Sequence, residues 1–361
     1  MRTPSSLLTL SRLGLLGLVA AVAALAAVTP GCNCAGSAAC TLRGPINDPS
    51  NRTMRRNIMA SGLKEFCRQM TSRNAPLRMT TDAPVIGRFY ATACQQSDMA
   101  NGDLYVQFSG FGYAFTNISK KLTFTMAGSV QYNQDFLISE DCLAYAYFRP
   151  RNITSSDFRI NKVENPVTSF LNALSPIAEN FGRQLVAGKL GEGFTVITDM
   201  DMKNPDVVLG VVEKGQKPVH PFDIHGTSRI TYENLRTEVH QNERDFIGPI
   251  EVTESGRALY LTAQMDGVQA IDLFLMRKDD GDASLHLFID YPMAGPLSAP
   301  PIVSDVVTAG QAYTRTLPVP PGMYYVVLDN TPSAGQVAPP NNAFDDRAAV
   351  VNYVVQIGDA P

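Results

Sequence analysis

The sequence has no clustered run of lysine or arginine, and only 18% of its 361 residues are charged. With 30 basic against 34 acidic side chains its net charge is −4. Such a chain is a poor nucleic-acid binder, because neutralising phosphates takes clustered cations. It has no apolar run of about 20 residues, the length a membrane-spanning helix needs. No Gly-x-Ser-x-Gly elbow occurs, and Phe108-Ser109-Gly110-Phe111-Gly112 matches that hydrolase pattern only superficially. Cys32-x-Cys34 has no second cysteine pair at zinc-ligand spacing. The glycines at 188, 191 and 193 follow a helical pattern instead of opening one, so they form no phosphate cradle. Glycine (27) and proline (24) are too ordinary in number for a collagen-like or low-complexity chain, and 45% apolar residues exclude wholesale disorder.

What is present begins at the amino terminus. Arg2 and Arg12 precede the uncharged run Leu13 to Val28, which closes on Thr29-Pro30-Gly31-Cys32. At 1.5 Å per residue the run spans roughly 24 Å, short of a bilayer core but suited to a secretory signal. The Gly31-Cys32 junction resembles the bacterial lipoprotein signal, although Thr29 and Pro30 stand where that family usually has Leu and a small residue. The resemblance implies that residues 1–31 are removed and that Cys32 is lipidated. It also implies an exported protein of the cell envelope, anchored at the outer membrane. Ordinary cleavage nearer Ala24-Leu25-Ala26 is the alternative. Loss of the two arginines with the signal takes the net charge from −4 to −6.

All six cysteines, at 32, 34, 40, 67, 94 and 142, lie in the first 142 residues. Export permits disulfides. If Cys32 carries lipid, five thiols remain; if not, six can close three bridges. Cys67, Cys94 and Cys142 are the candidate bracing cysteines, because Cys34 and Cys40 sit in a Gly/Ala/Ser-rich stretch that reads as a tether.

The fold expected is α+β, with an N-terminal helix and antiparallel-sheet domain followed by an all-β antiparallel sandwich. Its divisions are a signal peptide (1–31), a tether (32–47), an α+β domain (48–223) and a sandwich (224–361). Asp48-Pro49 opens a predicted helix to about Ser72, one face of which carries Arg52, Arg55, Arg56, Lys64 and Arg68. That face is either a solvated surface or a patch for anionic lipid head groups. Leu122 to Tyr132 alternates strictly and predicts a long strand, with neighbours over 104–115, 143–148 and 158–163. A second helix is predicted from Asn165 to Leu190, ended by Gly191, and strands follow over 194–197 and 207–212. From Ile224 the period is two, with strands over 258–263, 270–276, 284–289, 313–317, 323–328 and 349–357. Asp279-Asp280-Gly281 is read as a turn between two of them. Leu317 to Asp329 resembles the late hairpin of jelly-roll modules in secreted bacterial enzymes, which implies a sandwich.

Three chemical readings follow. His220, Asp223 and His225 place two imidazoles and a carboxylate within six residues, a candidate metal set for a metal-dependent secreted enzyme. Residues 50–213 resemble tubular lipid-binding domains in layout. There Phe124, Met126, Val130, Phe170, Phe181 and Leu185 either line an apolar-ligand site or fill a core. An adhesion or envelope-assembly module is the third reading. The expectation is a non-catalytic exported lipoprotein without a cofactor. Its partners are the membrane, through the lipid anchor, and a lipid or other apolar ligand in the N-terminal domain.

Overall fold

In the structure, a computed structural model, the alternation that marks Leu122 to Tyr132 belongs to a 19-residue strand, Lys120–Ile138. The structure describes residues 40–62, 66–80, 83–116, 120–163, 193–198, 206–209, 229–291, 294–339 and 347–361. Strands numbered in chain order dominate these residues. The first seven are β1 (Asn74–Arg78), β2 (Val85–Asp98), β3 (Leu104–Thr116), β4 (Lys120–Ile138), β5 (Ala144–Val163), β6 (Phe194–Thr198) and β7 (Asp206–Leu209). The next four are β8 (Ile230–Val239), β9 (Glu243–Val252), β10 (Arg257–Asp266) and β11 (Ala270–Arg277). The last are β12 (Val303–Thr308), β13 (Tyr313–Pro318), β14 (Gly322–Asn330) and β15 (Ala349–Asp359). Helices cover Arg43–Asn47, Arg52–Gly62, Phe66–Thr71 and Lys278–Asp290, with a 3-10 turn at Pro49–Asn51.

The chain is mostly β. One sheet runs β13-β10-β15-β8-β2-β3-β4-β5-β6-β7, with β1 also paired to β2, and a second runs β12-β11-β14-β9. Among the described residues, all pairings are antiparallel except the bridge Val85↔Thr237, where β2 meets β8. The first sheet therefore continues across the boundary expected near residue 223.

Packing explains why the strands read as they do. The inner face of the second sheet (Ile247, Ile250, Leu273, Leu275, Val326, Leu328) meets Val239, Leu259, Leu261, Val351 and Val355, making an apolar sandwich core. The outer face of that sheet (Phe246, Phe274, Met276, Tyr325, Val327) is covered by Leu285 and Phe288 of the last helix. Tyr90, Tyr113 and Phe115 of β2 and β3 pack there too. The first sheet thus faces the second from both sides, and β9 lies inside the fold. The start of β4 shows the consequence locally: Lys121, Leu122, Thr123 and Phe124 are all buried, because the sandwich helix covers the face that is exposed further along at Thr125 and Ala127.

Several expectations need correction. Asp279-Asp280-Gly281 and the strand expected at 284–289 form one helix, Lys278–Asp290, so the C-terminal part is not all-β. Leu285, Phe288 and Ile289 are buried at helical spacing, and Asp279 and Asp280 in the first turn suit the positive end of the helix dipole. Gly281 is required for space, since a Cβ there would lie 2.2 Å from the Tyr325 ring. The strands β1, β2, β8, β9 and β12 lie outside every residue span predicted from the sequence. Residues expected as tether are ordered at Arg43–Asn47. Of the helix expected to Ser72, Pro49–Asn51 is a 3-10 turn and Arg52–Gly62 and Phe66–Thr71 are helical, with residues 63–65 outside the described residues. The helix expected at Asn165 to Leu190 lies outside the described residues.

Candidate functional site

The sequence-derived candidates fall into two groups. Cys32, His220, Asp223, His225, Phe170, Phe181 and Leu185 lie outside the described residues. Among the described residues, no group of three or more His, Cys, Asp or Glu side chains is placed to hold a metal ion. Phe124, Met126 and Val130 lie on one face of β4 and are 1%, 2% and 1% exposed, within a cluster that includes Phe89, Phe108, Phe148 and Phe158. Phe124 stacks on Phe158 at 4.8 Å between ring centroids. Gly112 across the ladder is what admits its ring, because a Cβ there would lie 2.6 Å from it. These three side chains are packed by protein.

The four described cysteines form two disulfides, Cys67–Cys94 and Cys40–Cys142. Cys142 sits in the turn between β4 and β5, at one end of the long strands, whereas Cys94 of β2 is level with Phe108 of β3 and with Gly128 near the middle of β4. Cys40 was assigned to the tether by its Gly/Ala/Ser surroundings, and composition holds no signal for its partner 102 residues away.

Around the Cys40–Cys142 bond the N-terminal segment is fastened to the sheet residue by residue. The Asn47 amide pairs with the backbone of Ile138 in both directions, at 2.7 and 2.8 Å. The Arg43 guanidinium donates to the Glu140 carbonyl. Arg55, buried, donates to both carboxylate oxygens of Asp135 and to the carbonyls of Ile46 and Asp48. Arg52 reaches Asn133 and Asp135. Arg56 donates to the carbonyls of Gln134 and Asn101 and lies 3.6 Å from Asp103. Of the stripe that read as solvated or lipid-facing, Arg52, Arg55 and Arg56 dock the helix on the sheet, Arg68 is exposed on the next helix 3.8 Å from Glu251, and Lys64 lies outside the described residues. Asp103 completes the cluster. Burial alone would raise its pKa, but hydrogen bonds from Asn133 and Gln131 and the charges of Arg151 and Arg56 hold it below the usual carboxylate range.

A second polar constellation lies where the first sheet turns around β9. Arg88 is fully buried, and all five of its N–H groups are used. Nε and one Nη donate to Asp245 at 2.5 and 2.8 Å, and the remaining donors meet Glu233, Asn74 and Tyr353. Tyr113 donates to Asp245 at 3.0 Å and Tyr90 donates to the Phe246 carbonyl at 2.7 Å. Burial raises the pKa of Tyr90, Tyr113 and Tyr353, so these hydroxyls stay protonated donors. The set joins β1, β2, β3, β8, β9 and β15, and Arg88 keeps no donor for a ligand. Sequence reading missed it because Glu243-Arg244-Asp245 looks like a surface charge run until the partners of each are known.

No protein-family model matches the chain, and no curated protein matches it. Among solved structures it is similar to one described as "Bacillus endospore appendages form a novel family of disulfide-linked pili", at 5% identity and a TM-score of 0.22. That likeness covers 40% of this chain and 100% of the other, and it carries no argument here.

Proposed function

We propose that the chain is a non-catalytic exported lipoprotein of the bacterial cell envelope, outer-membrane anchored through Cys32. In this reading an N-terminal helix-and-sheet domain connects the anchor to a C-terminal β-sandwich. The observation that carries the proposal is the pair of disulfides, Cys40–Cys142 and Cys67–Cys94, downstream of a leader of secretory composition. Disulfides of this kind persist in oxidising compartments. They also account for four of the six cysteines and leave Cys32 and Cys34, both at the leader junction, outside the two bonds. Burial of Phe124, Met126 and Val130 in protein contacts favours a structural sheet over an apolar-ligand pocket among the described residues.

Metabolic labelling with a fatty acid, comparing wild type with Cys32→Ala, tests the proposal. Labelled wild type, and an unlabelled variant released from the membrane fraction, is the expected result. Label that survives the substitution, or a wild type that takes up none, overturns the lipid anchor. Native mass spectrometry of the purified protein is expected to show the polypeptide with its anchor and no further lipid.

A further inference from the structure

The two ends of β4 are attached to different things. At its C-terminal end, Ile138 is bonded to Asn47, and the turn that follows carries Cys142, cross-linked to Cys40. At its N-terminal end, the Lys121 ammonium donates to the carbonyls of Phe288 and Tyr291 at the end of the sandwich helix. Lys162, near the end of β5, donates to the carbonyl of Asp290 beside it. Seventeen residue steps separate Ile138 from Lys121, roughly 56 Å of strand at ~3.3 Å per residue.

Cys40 follows Cys32 by eight residues, so at most about 29 Å of extended chain lies between them. Because Cys40 is covalently bonded to Cys142, that short reach applies to the β4–β5 turn itself.

We infer that the β4–β5 turn is the end that meets the lipid surface, and that the long strands hold the sandwich at the far end of β4. This rests on the proposed lipid anchor at Cys32. The sheet is then a spacer, and the disulfide at Cys40 fixes which end of it points to the membrane. A tether without that bond would allow either end to approach.

The test uses the full-length lipidated protein in phosphatidylcholine/phosphatidylglycerol vesicles carrying a head-group energy acceptor. In a Cys34→Ser background, a donor dye is placed at Glu140→Cys, Asp290→Cys or Ser255→Cys, three exposed positions. Strong transfer is expected from position 140. At positions 290 and 255 it is expected to be roughly tenfold weaker or undetectable, given the strand length between them. Equal transfer from all three sites in protein that floats with the vesicles overturns the orientation and leaves the anchor standing. Protein that fails to float overturns the anchor itself, and the orientation with it.

Discussion

The N-terminal sheet and the C-terminal sandwich bury comparable kinds of strand by different means. Inside the sandwich, facing strands contribute an apolar layer from Val239 to Val355. At about 25 cal/mol per Å² that burial is the dominant favourable term. The long strands have an apolar cluster of their own, including Val106, Val130, Tyr132 and Phe148, and add to it two disulfides, the Arg55–Asp135 ion pair and the saturated Asp103 carboxylate. The disulfide with 102-residue separation restricts the unfolded chain by about 4–5 kcal/mol in the chain-entropy account. Strands that project beyond the sandwich supplement their apolar packing with covalent and ionic ties. The difference shows that two regions of similar β content can add unlike interactions to the same apolar term.

Arg88 belongs to both regions, so removing it is the most severe way to break the comparison. Arg88→Ala leaves Asp245 and Glu233 without their cation in a buried site, a change that typically costs about 3–5 kcal/mol. Chemical denaturation is expected to show the whole molecule shifted, including the sandwich transition, because Asp245 lies on β9. A loss confined to the N-terminal sheet, with the sandwich transition in place, would show that the two regions are independently stable.

The sandwich region has one buried charge set of its own, and pH sharpens the contrast there. Asp329 pairs with Arg244 and stands opposite Asp272 in the β11–β14 register. Burial raises its pKa to about 6, against the opposing pull of Arg244 and Thr331. A carboxyl raised in the folded state from 3.8 binds its proton more tightly than the unfolded chain does. Its contribution is therefore greatest below the unfolded value and is lost as pH rises from about 4 to about 6. At 1.36 kcal/mol per pH unit that window is worth up to about 3 kcal/mol. Urea unfolding of wild type and Asp329→Asn at pH 7, 6, 5 and 4 isolates it. The difference between the two is expected to move in favour of wild type as pH falls. A difference that stays constant over the window would sink this account of Asp329.

The comparison also separates what the sequence made legible from what it did not. Leu122 to Tyr132 was readable because one face is packed and one is wet along most of the strand, which writes a period of two directly into residue type. Arg244 and Asp245 were not readable. Each is buried by a partner far away in sequence, Asp329 and Arg88, and no local pattern reports such a partner. The helix at Lys278–Asp290 failed for another reason. Ser284 to Ile289 satisfies alternation and helical spacing at once, and the deciding contacts, Gly281 on Tyr325 and Leu285 on the outer sheet face, are tertiary. At the attachment end, Arg52, Arg55 and Arg56 announced a charged helix face but not what it meets. Cys67 and Cys94 were legible as bracing cysteines, whereas Cys40 was concealed by its small neighbours.

The smallest expected effect tests where the regions meet without a carboxylate. Lys121 is 2% exposed, its Nζ donates to the carbonyls of Phe288 and Tyr291 at 2.6 and 3.0 Å, and it stands 4.2 Å from the Phe288 ring centroid. A cation at a helix C-terminus satisfies carbonyls left free by the last turn and opposes the negative end of the dipole. Lys121→Met keeps the aliphatic packing of the stem while removing the charge and both hydrogen bonds, a loss of about 1–2 kcal/mol. The protein is expected to fold, with faster amide exchange confined to the C-terminal turn of the helix around Phe288 to Tyr291. If exchange rises equally through β11 and β14, the sandwich depends on this contact as a whole, and the two regions are a single cooperative unit. If it rises only at the helix end, the cation is a local cap, and the sandwich core keeps its stability without help from the sheet that packs against it.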